Sequence, residues 1–185
     1  MRDYDSTGIR NVALVGHAAS GKTTLVDALA FAAGTSRRHG SIRDGTALTD
    51  SSPEATDRGY STTLGCAFAE WQETKINFVD TPGFPDFMGD AIAGLAAADG
   101  AVLCVSATHG VDTGTVTMFT EAIARRDPVM VVVTMLDKEH ADFDVTYAQL
   151  KARLGAALVP VEVPVGAGPA IRGVMNLFTQ RAYLY

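Results

Sequence analysis

The apolar stretch NVALV (11–15) stops at Gly16 and runs directly into GHAASGKT (16–23), after which a helical pattern extends from Lys22 through Phe31 to Gly34. A buried strand, a glycine-bearing loop and a helix in immediate succession leave the chain little choice of path. The loop must curl at Gly16 and Gly21, where a side chain would obstruct the backbone. The first N–H groups of the helix have no partner inside it, so they point back into the loop. The segment matches G-x-x-x-x-G-K-[ST] in the strand–loop–helix context that gives that pattern its meaning. Such a loop is built to wrap an anion, above all a phosphate chain. The candidate phosphate contacts are Gly16, His17, Ala18, Ala19, Ser20, Gly21, Lys22, Thr23 and Thr24. Lys22 is placed to reach β and γ phosphates, and the Thr23 hydroxyl to ligate Mg²⁺.

The rest of the chain alternates in the same way. The spacing predicts strands at 62–71 and 76–80 joined by a turn at QETK, then 101–106, 129–134 and 159–165. Helices are predicted at about 86–98, 113–126 and 142–154. This βαβ rhythm implies an α/β fold with a mainly parallel sheet. Fully apolar strands such as VMVVVT imply helices on both faces. Residues 35–61 are polar with little periodicity and read as one long functional loop. The tail after 165 reads as hairpin-like β structure, and its apolar, aromatic end implies a larger protein that continues.

Two further segments fall at strand ends, where open α/β sheets bind ligands. In DTPG (80–83), Asp80 closes a strand and can hold Mg²⁺ through water, while Gly83 can bring an N–H to a γ-phosphate. Ser61, at the end of the polar segment, is a second hydroxyl for the metal. In TMLDK (134–138), Asp137 can accept from guanine N1–H and its exocyclic amine together, a donor pair adenine lacks. Thr134 and Met135 complete the candidate base side.

In this order the residues resemble the GTP-binding domain of the translational GTPases, above all elongation factor G and its diverged paralogues. The resemblance covers essentially the whole chain. It rests on GHAASGKTT, on Asp57-Arg58-Gly59-Tyr60-Ser61 where that family writes E-R-G-I-T, on Asp80-Thr81-Pro82-Gly83, and on DGAVLCVSATHGVDTGT. The tail IRGVMNLFTQRAYLY is similar to the start of the insertion in that factor's nucleotide domain. The resemblance implies a three-layer α/β/α P-loop NTPase fold, with a mostly parallel sheet and one antiparallel edge strand. It also implies a GTP-binding domain over 1–158, with the last strand and the start of the insertion over 159–185. The implied cofactors are GTP or GDP with Mg²⁺. The implied partner is the ribosome, met through the full-length protein, and a cytoplasmic monomer is expected. The family's final base-binding loop lies beyond the insertion, and no residue here is assigned to it.

Three positions depart from the family. Its water-orienting histidine is replaced by Phe84, its phosphate-loop aspartate by Ala19, and its Asn-Lys-x-Asp by Thr134-Met135-Leu136-Asp137. A phenyl ring can neither take a proton nor orient a water, so no catalytic residue is identified. Slow or absent hydrolysis is expected. Two alternatives stay open: a fully active GTPase with another water-positioning group, and a phosphate-loop ATPase or kinase outside translation.

Composition narrows the rest. The net charge of −6 argues against direct DNA binding, which needs clustered Lys and Arg. No apolar run reaches membrane-spanning length, and the first ten residues hold no secretory signal. Cys66 and Cys104 both sit in apolar runs and read as reduced core thiols. His17 reads as packing or hydrogen-bonding, and His39, His109 and His140 show no metal-ligand spacing. Arg37, Arg38 and Arg43 read as a solvated cluster, with RNA contact as the alternative. Arg58 is a weaker phosphate candidate, and Trp71 reads as packing.

Overall fold

A computed structural model describes residues 3–50, 52–155 and 157–185. The expected domain 1–158 includes Met1, Arg2, Ser51 and Ala156, and the polar segment 35–61 includes Ser51; these four lie outside the described residues. Strands β1 (Ile9–Val15), β2 (Gly65–Trp71), β3 (Thr74–Asp80), β4 (Gly100–Ser106) and β5 (Val129–Thr134) form one sheet in the order β2-β3-β1-β4-β5. β1 runs parallel to β3 and β4, and β4 parallel to β5, while β2 is antiparallel to β3. Helices α1 (Lys22–Ala32), α3 (Met88–Ala96), α4 (Thr113–Ala124) and α5 (Phe143–Leu154) connect them, with α2 (Pro53–Arg58) lying between α1 and β2.

The layering follows from the period-2 alternation of strand side chains. Ala13 and Val15 of β1 join Leu103 and Val105 of β4 on one face, against Ala91 and Leu95 of α3, Met118 and Ala122 of α4 and Leu150 of α5. The intervening Leu14 and Cys104 face the other way, against Val26 of α1 and Phe78 of β3. The result is the expected three-layer α/β/α fold with an antiparallel edge strand.

Several details correct the sequence reading. The polar segment 35–61 is not one uninterrupted loop. Ser52 accepts from the Ala55 N–H at 3.1 Å, Pro53 opens a helical turn, and Gly59 at φ 71° ends it. These are ordinary start and stop signals, masked because six residues carry no apolar period. The strand expected at 62–71 starts only at Gly65. The hairpin to β3 closes through Gln72 and Glu73, both left-handed at φ 45° and 64°. VMVVVT is not covered on both faces: β5 is an edge of the sheet, and Met130 is 61% exposed. Cys66 is exposed while Cys104 is buried, because alternation along β2 turns residue 66 outward. Trp71, read as packing, is 55% exposed at the hairpin end.

The strand expected at 159–165 is the shorter β6 (Glu162–Val165). It pairs not with β5 but with β7 (Gly173–Asn176), which pairs with β8 (Arg181–Leu184) in a separate antiparallel sheet.

One carboxylate pins the start of the polar segment to α1. Asp27 is 2% exposed and accepts the Leu48 N–H at 3.2 and 3.4 Å on its two oxygens. Gly40 passes so close that a side chain there would strike the Asp27 carboxylate and the Ala47 backbone. Burial pushes the Asp27 carboxyl above its usual range, against the pull of the Leu48 and Gly40 N–H groups and His39. A carboxyl raised on folding contributes stability that is complete below its unfolded value of about 3.9 and is lost as pH rises through the folded value. Asp27→Asn abolishes that dependence. The melting temperature of Asp27→Asn relative to wild type is therefore expected to rise between pH 4 and pH 7. A flat or falling difference would show that the two N–H bonds outweigh burial of the charge.

Candidate functional site

At the end of β1 the chain leaves the sheet at Gly16, φ 136°. A side chain there would collide with the Cys104 carbonyl of β4, so only glycine lets the loop start this close to the sheet. Ala19 at φ 58° and Gly21 at φ 85° curl it further. For Ala19 this is a left-handed conformation that costs a non-glycine residue energy. Helix α1 then begins with no side chain capping its first N–H groups. Those groups and the loop define a cavity of about 170 Å³, lined by Ala18 to Thr23, Ile42, Asp50, Gly59, Tyr60, Ser61, Gly83 and Phe84. This is smaller than the roughly 300–1,000 Å³ of a whole small-molecule pocket. It suits the phosphate end of a ligand.

The Lys22 ammonium is buried and donates to the carbonyls of Gly16 at 3.0 Å and His17 at 2.8 Å. It thereby braces the loop from inside. Burial lowers its pKa, while the charges of Asp80, Cys104 and Asp112 act to raise it. Burial likewise raises the Asp80 carboxyl, opposed by hydrogen bonds from Thr23 and Thr49 and by Lys22. The Cys104 thiol, buried beside both, is pushed up to about 12 and is inert. The Lys22 and Asp80 charges are each costly to bury alone, and their mutual attraction offsets part of that cost.

Around Asp80 the polar segment closes over the loop. Thr23 and Thr49 each donate to Asp80 Oδ2 at 2.6 Å. Ser61 donates to Asp50 at 2.9 Å, and its Oγ lies 3.4 Å from that of Thr23. Asp80 Oδ1 and Ser20 Oγ are buried with no hydrogen-bond partner among the described residues. Such orphaned oxygens are uncommon and call for a ligand or ion. Gly83 is pressed onto the loop: a Cβ there would sit 2.5 Å from Ala18 N and Lys22 Nζ. The next residue, Phe84, lays its ring 4.4 Å from that of Tyr60.

The structure thus brings Ala18 to Thr23, Ser61, Gly83 and Phe84 to one cavity, with Asp80 joined to it through the Thr23 hydroxyl. Three expected phosphate residues are not in the lining, Gly16 being packed under the Cys104 carbonyl. Thr24 is exposed on α1. His17 turns toward α4, where Nδ1 lies 3.3 Å from Asp112 Oδ2, at ion-pair distance but without hydrogen-bond alignment.

The base-side residues lie outside the cavity, and Thr134 is tied to the loop that forms it. Thr134 Oγ1 lies 2.8 Å from the Ser20 carbonyl and 3.2 Å from that of Val105. One hydroxyl proton serves one acceptor well, so the shorter contact to the loop dominates. Met135 is left-handed at φ 57°, with Sδ 3.5 Å from the donor Ser106 Oγ. Asp137 is exposed and paired with Lys138 at 3.0 Å, which holds its carboxyl below the usual range. Three contributors went unread in the sequence: Thr49, Asp50 and Ile42. The polar segment has no period to mark them, and only the bonds of Thr49 to Asp80 and of Ser61 to Asp50, and the place of Ile42 in the cavity lining, reveal them.

The family model described as the elongation factor Tu GTP binding domain matches residues 7–180. A crystal structure of a protein from Thermus thermophilus is similar, with a TM-score of 0.91 and 39% identity over 97% of this chain. The match covers 27% of that protein's chain, so the present chain spans about a quarter of its length.

The Thr134 contact generates a test. Thr134→Val keeps the shape but strips the Ser20 carbonyl of its donor, which typically costs about 1–3 kcal/mol. Chemical denaturation is expected to show that loss, with Thr134→Ser close to wild type. Equal stability of the valine variant would mean the carbonyl finds another donor.

Proposed function

The chain belongs to the family of elongation factor Tu GTP-binding domains, and from that premise we propose that it is the nucleotide-holding domain of an elongation-factor-G-like protein that acts on the ribosome and hydrolyses GTP slowly. The observation that carries this reading is the pairing of a fully built phosphate cavity with Phe84 at its wall. The loop N–H groups, the uncapped start of α1 and Lys22 supply the grip on phosphate. Lys22 must exchange at least one of its two carbonyl contacts for a phosphate oxygen, and the His17 carbonyl already accepts the Ser20 N–H at 3.3 Å.

Among the described residues no group of three or more His, Cys, Asp or Glu side chains gathers to hold a metal. Magnesium does not require one, since it keeps several waters and takes most other ligands from phosphate. The residues present fit it. Thr23 and Ser61 offer hydroxyls, and the unpartnered Oδ1 of Asp80 offers a carboxylate oxygen for a metal-bound water. Bound there, Mg²⁺ would neutralise charge between the β and γ phosphates.

On the base side, Asp137 would exchange Lys138 for guanine donors, and Met135 would cover the base with a flexible thioether. Thr134 acts at one remove, fixing the end of β5 to the phosphate loop. The unit is proposed to be 1–158, with 159–185 as its last strand and the start of an insertion. No described helix is long and apolar enough to cross a membrane, and a cytoplasmic monomer is the state we assign.

Phe84 stands where the family has a water-orienting group, of a kind worth roughly 10²–10⁴-fold, and it lines the cavity beside Gly83 with a ring that offers phosphate neither charge nor donor. GTP and GDP are expected to bind in the presence of Mg²⁺, with ATP failing to compete. In single-turnover assays with ribosomes, Phe84→His is expected to raise hydrolysis by about 10²-fold. Wild-type turnover that already matches a histidine-bearing relative, unchanged in the variant, would favour the alternative of an active GTPase with a different water-positioning group.

A further inference from the structure

The ring contact between Tyr60 and Phe84 joins the two segments that line the phosphate cavity from outside the loop. The centroids are 4.4 Å apart and the planes tilted by 56°, a close contact intermediate between the stacked and edge-to-face arrangements of aromatic pairs. Gly59, left-handed at φ 71°, ends α2 immediately before Tyr60. Gly83, packed against Ala18 and Lys22, immediately precedes Phe84. Each ring is therefore one residue from a glycine that sets the path of its segment. Tyr60 is followed at once by Ser61, whose bond to Asp50 holds the same stretch from the other side.

Resting on the nucleotide-binding reading above, we propose that Tyr60 and Phe84 form an aromatic clasp that keeps segment 59–61 on the 80–84 loop with either GDP or GTP in place, making Tyr60 a positioning residue for nucleotide retention. Segment 59–61 has two kinds of hold. The Ser61 hydroxyl can answer to a metal and a γ-phosphate, so its contribution differs between the two nucleotides. The ring contact is apolar and contributes equally with both. A contact shared by both bound states moves both toward the closed arrangement and narrows the difference between them. The same ring that removes the water-orienting group thus forms part of the wall that retains the nucleotide. The tyrosine hydroxyl has no part in this proposal; the ring does.

The test is release of N-methylanthraniloyl-GDP and N-methylanthraniloyl-GTP from the protein, chased with unlabelled nucleotide in Mg²⁺. Wild type is expected to release both at rates within about a factor of three of each other. Tyr60→Ala is expected to speed GDP release by about tenfold and GTP release by less, since Ser61 still answers to the triphosphate. Tyr60→Phe is expected to behave as wild type, and Phe84→Leu to shift release in the same direction as Tyr60→Ala. The leucine variant keeps an apolar wall and serves as the second probe should the alanine variant melt early. GDP release within twofold of wild type in both variants would overturn the clasp, as would Tyr60→Phe matching Tyr60→Ala. Failure of wild type to bind either nucleotide is a different result: it removes the reading of the site itself.

Discussion

The close passage of Gly16 under the Cys104 carbonyl is the constraint on which the site depends. It allows β1 to pass into the phosphate loop while staying close to the end of β4. The loop then has to fold back on itself, and Lys22 holds it there through the carbonyls of Gly16 and His17. A larger residue at 16 would lift the loop off β4. The first turn of α1 would no longer aim at the cavity, and Thr23 would lose Asp80. The curl of the loop, the aim of α1 and the docking of the polar segment on Asp80 all descend from one backbone contact that no side chain makes.

A second layer of the site is a set of hydroxyls shared between carboxylates. Thr23, from the loop, and Thr49, from the polar segment, converge on one oxygen of Asp80. Ser61 then bridges toward Asp50. This web fastens three stretches of chain that are far apart in sequence, and it does so with groups that can give up their bonds to a metal ion. Hydrogen bonds to a carboxylate are worth about 1.5–3 kcal/mol net. A metal ion that takes the hydroxyls must supply at least as much in return. The buried aspartates supply order without locking the segment in place.

The elements with long, regular patterns were legible in the sequence. β5 and α5 fall where the apolar run at 129–134 and the helical pattern at 142–154 place them, and the phosphate loop is evident because its glycines and lysine are local signals. What the sequence hid is long-range. Nothing near Thr49 or Asp50 announces a carboxylate across the sheet. Nor does the alternation in β2 tell which way Cys66 faces until its pairing with β3 is known. The exposed Met130 carries the same lesson: an all-apolar strand reads as covered on both faces, yet strand order, which a periodicity does not encode, sets β5 at the edge. The helical turn at 53–58 is the reverse case. Its cap, proline and terminal glycine were present, but a six-residue turn carries no period to draw attention to them.

The three departures from the family converge on one physical outcome. Ala19 replaces a charge in the loop, Phe84 replaces an imidazole at the cavity wall, and Met135 replaces an ammonium stem beside the base. Each exchanges a polar or ionisable group for an apolar one around the nucleotide. Apolar walls strengthen the attraction between phosphate and Lys22 by lowering the local dielectric, and they keep out solvent. They cannot move a proton. If the chain holds GTP as proposed, a site altered in this one direction at three places would favour retention over turnover. The ground-state contacts proposed for Lys22, the loop amides and Thr23 would be left whole, while the groups that would respond to a developing transition state would be the ones removed.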